Sequence, residues 1–288
     1  MNARLLFLHA LSPLHCGTGQ AVGGIDLPIA REKPTNIPLV PGSSLKGTLR
    51  SRAEPSPMAT AVFGPDTANA SDHAGSVQFS DVNLVFLPVR SVCGTFAWVT
   101  SPYLLRRLVR DAAEVGAGKL AALQLPQPGK LDVACVSSER LKAGDKVVFE
   151  DLDFTAEVNP KVRALGEQVA PYVFAEPDRP FFLDRICVVH DDVMAMLLRT
   201  GMEVVARNRL DPETKTVRRG ALWTEEALPT ESILAGVVVA TPVPTKRGAP
   251  PPKAEELLSY VEQRASGHLQ IGGKGTVGRG LCHVTVRR

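Results

Sequence analysis

The chain has 288 residues, of which 44% are hydrophobic and 22% are charged, and its formal net charge is +3. This composition allows a buried core within one elaborated domain and excludes a chain that is disordered throughout. Because the net charge is small, a nucleic-acid-binding function would have to depend on local clusters of basic residues.

The sequence does not favour a membrane protein, a secreted protein or a zinc protein. No apolar run approaches the length that crosses a bilayer, and residues 1–14 lack the basic-then-apolar order of a signal peptide. The five cysteines are placed singly, without a C-x-x-C pair that could hold zinc. We therefore expect a cytoplasmic protein with no membrane partner.

The N-terminal part predicts a buried strand followed by a helix with a basic face. Residues 4–11 are rich in Leu and Phe, which is typical of a buried strand. Ser43 and Ser44 offer an N-cap for a helix on which Lys46 and Arg50 share one face. Free N–H groups at the helix start and two cations would suit a phosphate, although an ordinary surface helix has the same pattern.

Two segments are predicted to be insertions in a regular core. Residues 53–76 are rich in Pro, Ala, Ser and Asp and are expected to be irregular, and residues 111–180 mix loops with short helical and extended pieces. A helix is predicted at 193–200, capped by Asp191 or Asp192. The other predicted elements are strands at 77–88, 181–189 and 233–240 and helices at 102–109 and 254–264.

Residues 203–229 predict a long β-hairpin. Two strand-like segments, 203–210 and 216–223, flank a turn at 211–215 that is rich in turn-forming residues. The hairpin has too few apolar residues to bury both faces, so we expect it to protrude and contact another molecule. The side chains that could make this contact are Arg209, Lys215, Arg218 and Trp223.

Residues 272–280 form a glycine-rich loop. Its G-x-G-x-x-G spacing is not a dinucleotide fingerprint, because no helix and acidic residue follow, and it lacks the G-K-S/T of a P-loop. The loop could bring backbone N–H groups and two cations close to a phosphodiester chain, and a purely structural tight turn is the alternative. The candidate RNA-binding residues are Gly273, Lys274, Gly275 and Arg279.

Four segments, taken in chain order, resemble the RAMP superfamily of CRISPR proteins. They are residues 15–19 (HCGTG), 41–47 (PGSSLKG), 79–81 (FSD) and the glycine-rich loop at 272–280. Residues 87–91 (LPVRS) and 94–100 (GTFAWVT) resemble in particular the repeated backbone subunits of type III-B (Cmr) complexes. The predicted hairpin is similar to the thumb of that family.

The resemblance implies an α+β fold, in which a modified ferredoxin-like (RRM-like) palm carries a fingers insertion and a protruding thumb hairpin within one domain of residues 1–288. It also implies copies stacked head to tail in a filament along a guide RNA (crRNA), with other Cmr subunits as partners. The sequence has no aromatic-rich strand for base stacking. We therefore expect the protein to hold phosphates and sugars and to leave sequence reading to base pairing.

Asp26 is the candidate residue for cleavage of target single-stranded RNA. Considered alone, an Asp after Gly-Gly is more often a turn residue, but the resemblance implies that the Asp of this loop is the cleavage residue. Its carboxylate could take a proton from a 2′-hydroxyl, or it could be a ligand of a divalent ion, Mg²⁺ or Mn²⁺, at the scissile phosphate. The sequence does not decide between these roles. His15 is a further candidate for acid–base chemistry, and a hydrogen-bonded structural role explains it equally well. Glu225 and Glu226 are weaker candidates, because such residues more often form the solvated start of a helix.

The predicted function is that of a guide-binding backbone subunit and metal-dependent endoribonuclease that cuts target RNA at regular intervals. The alternative is a non-catalytic scaffold that binds guide RNA and in which Asp26 is a turn residue. A guide-processing RAMP endonuclease that acts alone is disfavoured, because such enzymes usually depend on His, Tyr or Lys groups.

Overall fold

The computed structural model describes residues 2–19, 24–66, 72–244 and 250–287, and within these ranges the chain forms fourteen strands and eight α-helices. The strands are β1 (Ala3–Ala10), β2 (Leu39–Val40), β3 (Val77–Phe79), β4 (Val82–Arg90), β5 (Phe96–Thr100), β6 (Val133–Val136), β7 (Lys146–Phe149), β8 (Leu152–Val158), β9 (Ile186–Val188), β10 (Glu203–Leu210), β11 (Val217–Ala227), β12 (Ile233–Ala240), β13 (Gly267–Gln270) and β14 (Leu281–Arg287). The helices are α1 (Gly42–Arg52), α2 (Pro57–Phe63), α3 (Pro102–Val115), α4 (Gly118–Ala121), α5 (Pro160–Val173), α6 (Arg179–Leu183), α7 (Asp191–Thr200) and α8 (Ala254–Ala265). The predicted α+β class is confirmed.

One half of the main sheet is a ferredoxin-like palm. Its strands lie in the order β14-β1-β12-β4, and each neighbouring pair is antiparallel. Along the chain the elements run β1-α1-β4-β12-α8-β14, which is the βαββαβ connection of ferredoxin-like folds. Helix α8 contacts β12 and β14, and α1 packs against α8, so the two helices cover one face of the sheet.

Both faces of this palm are covered, which distinguishes it from an open RNA-binding sheet. Strand β1 is buried along its whole length, and its side chains alternate between two cores. Leu6 and Leu8 join the core that includes α1 and α8, whereas Leu5 and Phe7 join a second core that includes α3 and α5. The face on which RRM domains stack bases is therefore filled by helices here, in agreement with the absence of a stacking strand in the sequence.

The long segment between β4 and β12 extends the sheet and supplies its second helical layer. The first half of β4 pairs with β12, and its second half, Leu87 to Arg90, pairs with β5. From there the sheet continues as β5-β9-β6-β8-β7. Trp98 of β5 is fully buried and packs edge-on against Phe182, and its Nε1 donates a hydrogen bond of 2.9 Å to the carbonyl of Glu231. This buried contact fixes the segment to the palm.

The prediction that Ser43 or Ser44 caps α1 is wrong. The helix begins at Gly42, both serines lie inside its first turn, and neither side chain makes a capping hydrogen bond. The N–H of Gly42 instead donates to Oδ1 of Asp81 at 2.9 Å, across 39 positions of sequence. A cap that comes from the segment between β3 and β4 satisfies the helix start as well as a local one does, but it leaves no local pattern.

Other predicted elements also differ from the structure. The strand predicted at 77–88 is divided into β3 and β4, and the helix predicted at 102–109 extends to Val115. The segment 181–189 is not one strand, because α6 occupies its beginning and only the short β9 follows. The helix predicted at 193–200 begins at Asp191, and its cap is not an aspartate: the Nδ1 atom of His190 accepts a hydrogen bond of 3.2 Å from the N–H of Asp192. The supposedly irregular segment 53–76 contains α2. Most of these elements are short, so their tertiary contacts outweigh local preference.

Strands β10 and β11 form the predicted hairpin as a separate two-stranded sheet. Its turn is closed by Asp211, whose Oδ1 accepts hydrogen bonds from the backbone N–H groups of Glu213 and Thr214 at 3.0 and 3.1 Å. Most hairpin side chains are exposed, whereas Glu225 and Glu226 at the base are buried. The hairpin is therefore anchored at its base and open to solvent along its length.

Some predicted features lie outside the described residues. These include part of the first glycine-bearing loop, residues 20–23, and part of the predicted insertion, residues 67–71. Within the parts of the chain that the structure covers, no helix is both long and apolar enough to span a bilayer.

Candidate functional site

Three successive residues at the base of the hairpin, 224–226 of β11, bring the predicted catalytic residues together. Asp26 hydrogen-bonds to Thr224, and the backbone carbonyl of Glu226 accepts a hydrogen bond of 2.6 Å from Nδ1 of His15. Glu225 lies between these two residues of the strand. The structure thus gathers Asp26, His15 and Glu225 around one short piece of strand, although Glu225 lies far from the other two in sequence.

Asp26 is an exposed carboxylate held by Thr224. Its Oδ2 atom accepts hydrogen bonds from the backbone N–H of Thr224 at 2.7 Å and from the hydroxyl of Thr224 at 2.9 Å. The N–H of Asp26 donates in return to the Thr224 Oγ1 atom at 3.0 Å. The backbone and side-chain hydrogen bonds from Thr224 hold the pKa of Asp26 below its usual value of 3.8. The group is therefore an anion at physiological pH.

Glu226 fixes the chain that follows Asp26. Its Oε2 atom accepts a hydrogen bond of 3.0 Å from the N–H of Ile29, and its Oε1 atom pairs with the guanidinium of Arg31 at 2.5 Å. Arg31 also donates to the carbonyl of Leu198 at 3.1 Å. The loop that carries Asp26 is thereby tied both to the hairpin base and to the end of α7.

Glu225 is the buried centre of a cluster of cations. Its Oε1 atom lies 2.8 Å from Nζ of Lys274 and 2.8 Å from Nε1 of Trp223, and its Oε2 atom lies 3.5 Å from Nε of Arg207 and 4.0 Å from Nε of Arg279. Only 2% of the Glu225 side chain is exposed. Burial raises its pKa, but the hydrogen bonds from Lys274 and Trp223 outweigh burial, so the pKa lies below the usual 4.5. A catalytic role for Glu225 stays a prediction, and it would require the release of these partners.

The glycine-rich loop uses some of its predicted RNA-binding groups internally. The Arg279 side chain is 6% exposed, and the N–H of Gly273 donates to a backbone carbonyl in the loop after β1. Lys274 is more open, with 35% of its side chain exposed, so it can contact a ligand while it remains bonded to the buried carboxylate. RNA contacts by Gly273, Gly275 and Arg279 stay predictions.

Two glycines show that this loop is also a tight structural turn. Gly272 and Gly280 have φ angles of 77° and 78°, a region that favours glycine. A Cβ atom at Gly272 would collide with the carbonyl oxygen of His15, and one at Gly280 would collide with that of Ile271. Glycine is therefore required at 272 by the close approach of the loop after β1, and at 280 by the close approach of Ile271.

The basic face of α1 is present as predicted. Burial, and then the charge of Arg50 one turn away, lower the pKa of Lys46. Arg50 is exposed and donates to the carbonyl of Pro65. Ser43 and Ser44 lie in the first turn, where backbone N–H groups lack helical partners. RNA binding by these four residues stays a prediction.

We expect the double substitution Lys46→Ala with Arg50→Ala to weaken guide-RNA binding, because it removes two phosphate-binding cations. Two contacts to single-stranded RNA contribute about 1.4 units to the slope of log affinity against log salt concentration. The loss should therefore be largest at low salt, as measured by filter binding over a salt series. A matched control is Arg106→Ala with Arg110→Ala, an exposed pair with the same spacing on α3. Equal losses in both variants would contradict a specific role for α1.

The candidate residues of the hairpin differ in availability. Arg209 and Lys215 are exposed, whereas Arg218 lies 3.5 Å from the carboxylate of Asp211. Trp223 is half-buried, and the ammonium of Lys274 lies 5.9 Å from its ring centroid. RNA contacts by these four residues stay predictions.

A metal ion would find few protein ligands here. Among the residues that the structure describes, no group of three or more His, Cys, Asp or Glu side chains is arranged to hold one. Asp26 offers a single open carboxylate. Such a site suits an ion that takes its other ligands from phosphate and water, which is the usual coordination of Mg²⁺ in proteins that act on phosphates.

The fold and this site define a class of protein. A ferredoxin-like palm, a long insertion, an exposed hairpin and a glycine-rich loop against the palm are combined in one chain. The family model described as "RAMP superfamily" matches residues 7–283, so the chain belongs to the RAMP superfamily.

Relatives of this chain include Cmr subunits. It is 34% identical to the CRISPR system Cmr endoribonuclease Cmr4 of Pyrococcus furiosus, over 100% of this chain and 96% of that protein. The crystal structure of oligomeric Cmr4 from the same organism is 27% identical, covers 99% of this chain and 97% of its own, and has a TM-score of 0.76. A chain of the type III-B Cmr-beta complex bound to cognate target RNA has a TM-score of 0.76 at 20% identity, with 99% and 96% coverage, and this likeness concerns the fold alone.

Several residues of the site could not be recognised in the sequence. Thr224 and Glu226 hold the Asp26 loop, and Asp81 caps α1. The only signal for Asp81 was the FSD segment of the family resemblance, which carries no indication of a capping role. Thr224 lies 198 positions from Asp26 and has no local motif.

Proposed function

We propose that this chain is the repeated backbone subunit of a type III-B CRISPR effector complex, where it binds guide crRNA and cleaves complementary target single-stranded RNA at regular intervals. Support comes from membership of the RAMP superfamily and from the full-length relative named a Cmr endoribonuclease. The observation that carries the proposal is Asp26, an exposed anion fixed at the base of an exposed hairpin. A cytoplasmic location fits a complex that acts on RNA.

The proposed RNA contacts are mainly to phosphates and sugars. The palm is covered on both faces, so it has no open sheet on which bases could stack. Cations remain on the face of α1, on Lys274 and along the hairpin. Such contacts fix position but carry no sequence information, so base pairing with the guide would select the target.

For Asp26 we propose a role as a fixed negative charge rather than as a general base. A general base works best when its pKa lies near the working pH, and hydrogen bonds from Thr224 move the pKa of Asp26 in the opposite direction. A carboxylate that stays ionised suits a divalent cation, Mg²⁺ or Mn²⁺. When bound, such an ion would neutralise charge at the scissile phosphate, and Asp26 is the residue of this chain that would hold it.

The proposed partners are further copies of the chain, arranged head to tail, together with other Cmr subunits. A relative crystallised as an oligomer supports self-association. The hairpin also has exposed apolar side chains that a neighbouring copy could cover, with Leu222 68% exposed and Leu210 52% exposed. If each copy binds the next through the same head-to-tail contact, the copies form an open filament. The length of the guide RNA would limit the length of that filament.

The test is cleavage by the assembled complex. Complex reconstituted with guide RNA should cut labelled complementary RNA into a ladder of regular spacing when Mg²⁺ is present, and it should leave the RNA intact in excess chelator. A labelled RNA of unrelated sequence is the control and should stay whole. Binding of complementary RNA without any cleavage in Mg²⁺ or Mn²⁺ would instead indicate a non-catalytic scaffold.

A further inference from the structure

One threonine makes an unusual number of contacts with the proposed cleavage residue. Thr224 donates to Asp26 Oδ2 through both its backbone N–H and its hydroxyl, and the same hydroxyl accepts from the backbone N–H of Asp26. The carbonyl of Thr224 also accepts from the N–H of Leu27 at 3.0 Å. Four hydrogen bonds thus join one hairpin residue to two successive residues of the Asp26 loop.

These contacts leave the two oxygens of Asp26 in different environments. Oδ2 accepts two hydrogen bonds and faces the hairpin strand. None of the hydrogen bonds that join Asp26 to Thr224 uses Oδ1, and the residue is exposed. A carboxylate with one oxygen fixed against the protein has restricted rotation, so its second oxygen is held in one direction.

The hydroxyl of Thr224 has a role that only a few side chains can fill. It is a donor to the carboxylate and an acceptor for the backbone N–H at the same time, which requires a hydroxyl on Cβ. Serine keeps that group. Valine keeps the shape and the strand preference of threonine but can neither donate nor accept.

The support behind Thr224 is rigid. The next residues of β11, Glu225 and Glu226, are buried, and Glu226 binds the same loop two residues beyond Leu27, through the N–H of Ile29. Thr224 therefore belongs to a fixed part of the hairpin, and the position of the hairpin base sets the position of Asp26.

We propose that Thr224 is a positioning residue for RNA cleavage: its hydroxyl holds Oδ2 of Asp26 so that Oδ1 faces the scissile phosphate. This inference rests on the proposed function, because it assigns no role to Thr224 unless Asp26 takes part in cleavage. Thr224 acts through Asp26 and does not touch the RNA.

The experiment compares Thr224→Val and Thr224→Ser in complex assembled with guide RNA. Single-turnover cleavage of labelled complementary RNA is measured together with target affinity and the melting temperature of the subunit. A misplacement of about 1 Å can lower a rate by up to about 100-fold. We expect the valine variant to cut about 10- to 100-fold more slowly with unchanged target affinity, and the serine variant to cut within about threefold of the wild-type rate. Thr155→Val, at an exposed threonine of β8, is the matched control and should leave the rate unchanged.

Three outcomes would overturn the inference. A wild-type rate for Thr224→Val would show that the hydroxyl is not needed. Equal loss of rate in the serine and valine variants would assign the effect to side-chain shape. Loss of target affinity or of melting temperature in proportion to rate would assign it to folding. Asp26→Asn, assayed alongside, separates the two levels: if it cuts normally, the cleavage role proposed for Asp26 fails and this inference fails with it, whereas if it is inactive and Thr224→Val is not, only this inference fails.

Discussion

Asp26→Asn should assemble on guide RNA and bind target RNA normally, while target cleavage falls by about 10²–10³-fold, which is the typical cost of removing one preorganised electrostatic group from a site. The substitution keeps the size of the side chain and an acceptor oxygen for Thr224, but it removes the negative charge. The hydrogen bonds from Thr224 keep Asp26 ionised, because they hold its pKa below the usual value. The measurement is the single-turnover rate in Mg²⁺, compared with the target dissociation constant of the same complex.

The control for this substitution is Asp153→Asn. Asp153 is an exposed carboxylate on β8 that pairs with Lys146, and no candidate site residue contacts it. Its replacement should leave the rate unchanged. If Asp26→Asn fails to assemble, the loop has a structural role instead; if it cuts at the wild-type rate, the carboxylate is a bystander and His15 becomes the next residue to test.

Features with a local signal were predictable from the sequence. The apolar run at 233–240 is β12, and the turn-forming residues around Asp211 close the hairpin. The four-residue spacing of Lys46 and Arg50 places them together on α1. In each case the interactions that decide the structure join residues that are close in sequence, so the local sequence pattern is enough to predict them.

Features that depend on distant contacts were not predictable. Asp81 caps α1 from 39 positions away, and Thr224 holds Asp26 from 198 positions away. The sequence left Glu225 as a solvated or catalytic carboxylate, because nothing near it in the chain shows that Lys274 approaches it. Burial and pairing of this kind arise only when the palm brings the hairpin base and the glycine-rich loop together.

Asp26 illustrates a third case. Its residue type and neighbours favour a turn residue, and only the resemblance to a family suggested a role in cleavage. The structure gives an independent physical argument, since the carboxylate of Asp26 bonds to Thr224 of a distant strand, whereas a turn residue such as Asp211 bonds to N–H groups two and three residues further on. The prediction itself still requires the cleavage assay.

Glu225→Gln is expected to be strongly destabilising. The substitution removes the one charge that faces Lys274, Arg207 and Arg279 together. Breaking a buried ion pair by neutralising one partner typically costs about 3–5 kcal/mol, and we expect the lower end of that range because Arg279 is buried, whereas Lys274 and Arg207 are each 35% exposed and keep contact with water. The free energy of unfolding, measured with urea at neutral pH on the subunit without RNA, should fall by about that amount.

The dependence of this loss on pH gives a second readout. The pKa of Glu225 is lower in the folded protein than its usual 4.5, so the stability that its charge contributes is complete above 4.5 and disappears as the pH falls through the folded value. The wild-type protein and the variant should therefore differ fully at neutral pH and converge in acid.

Glu139→Gln is the matched control, because Glu139 pairs with Lys142 at 3.0 Å but is 74% exposed. An exposed pair of this kind contributes about 0–1 kcal/mol. Similar small losses in both variants would mean that other groups compensate the charges of the three cations. The hairpin base would then be held by its backbone hydrogen bonds rather than by the buried carboxylate. A large loss at Glu225 alone, fading in acid, identifies the carboxylate as the group that fastens the hairpin and the glycine-rich loop to each other.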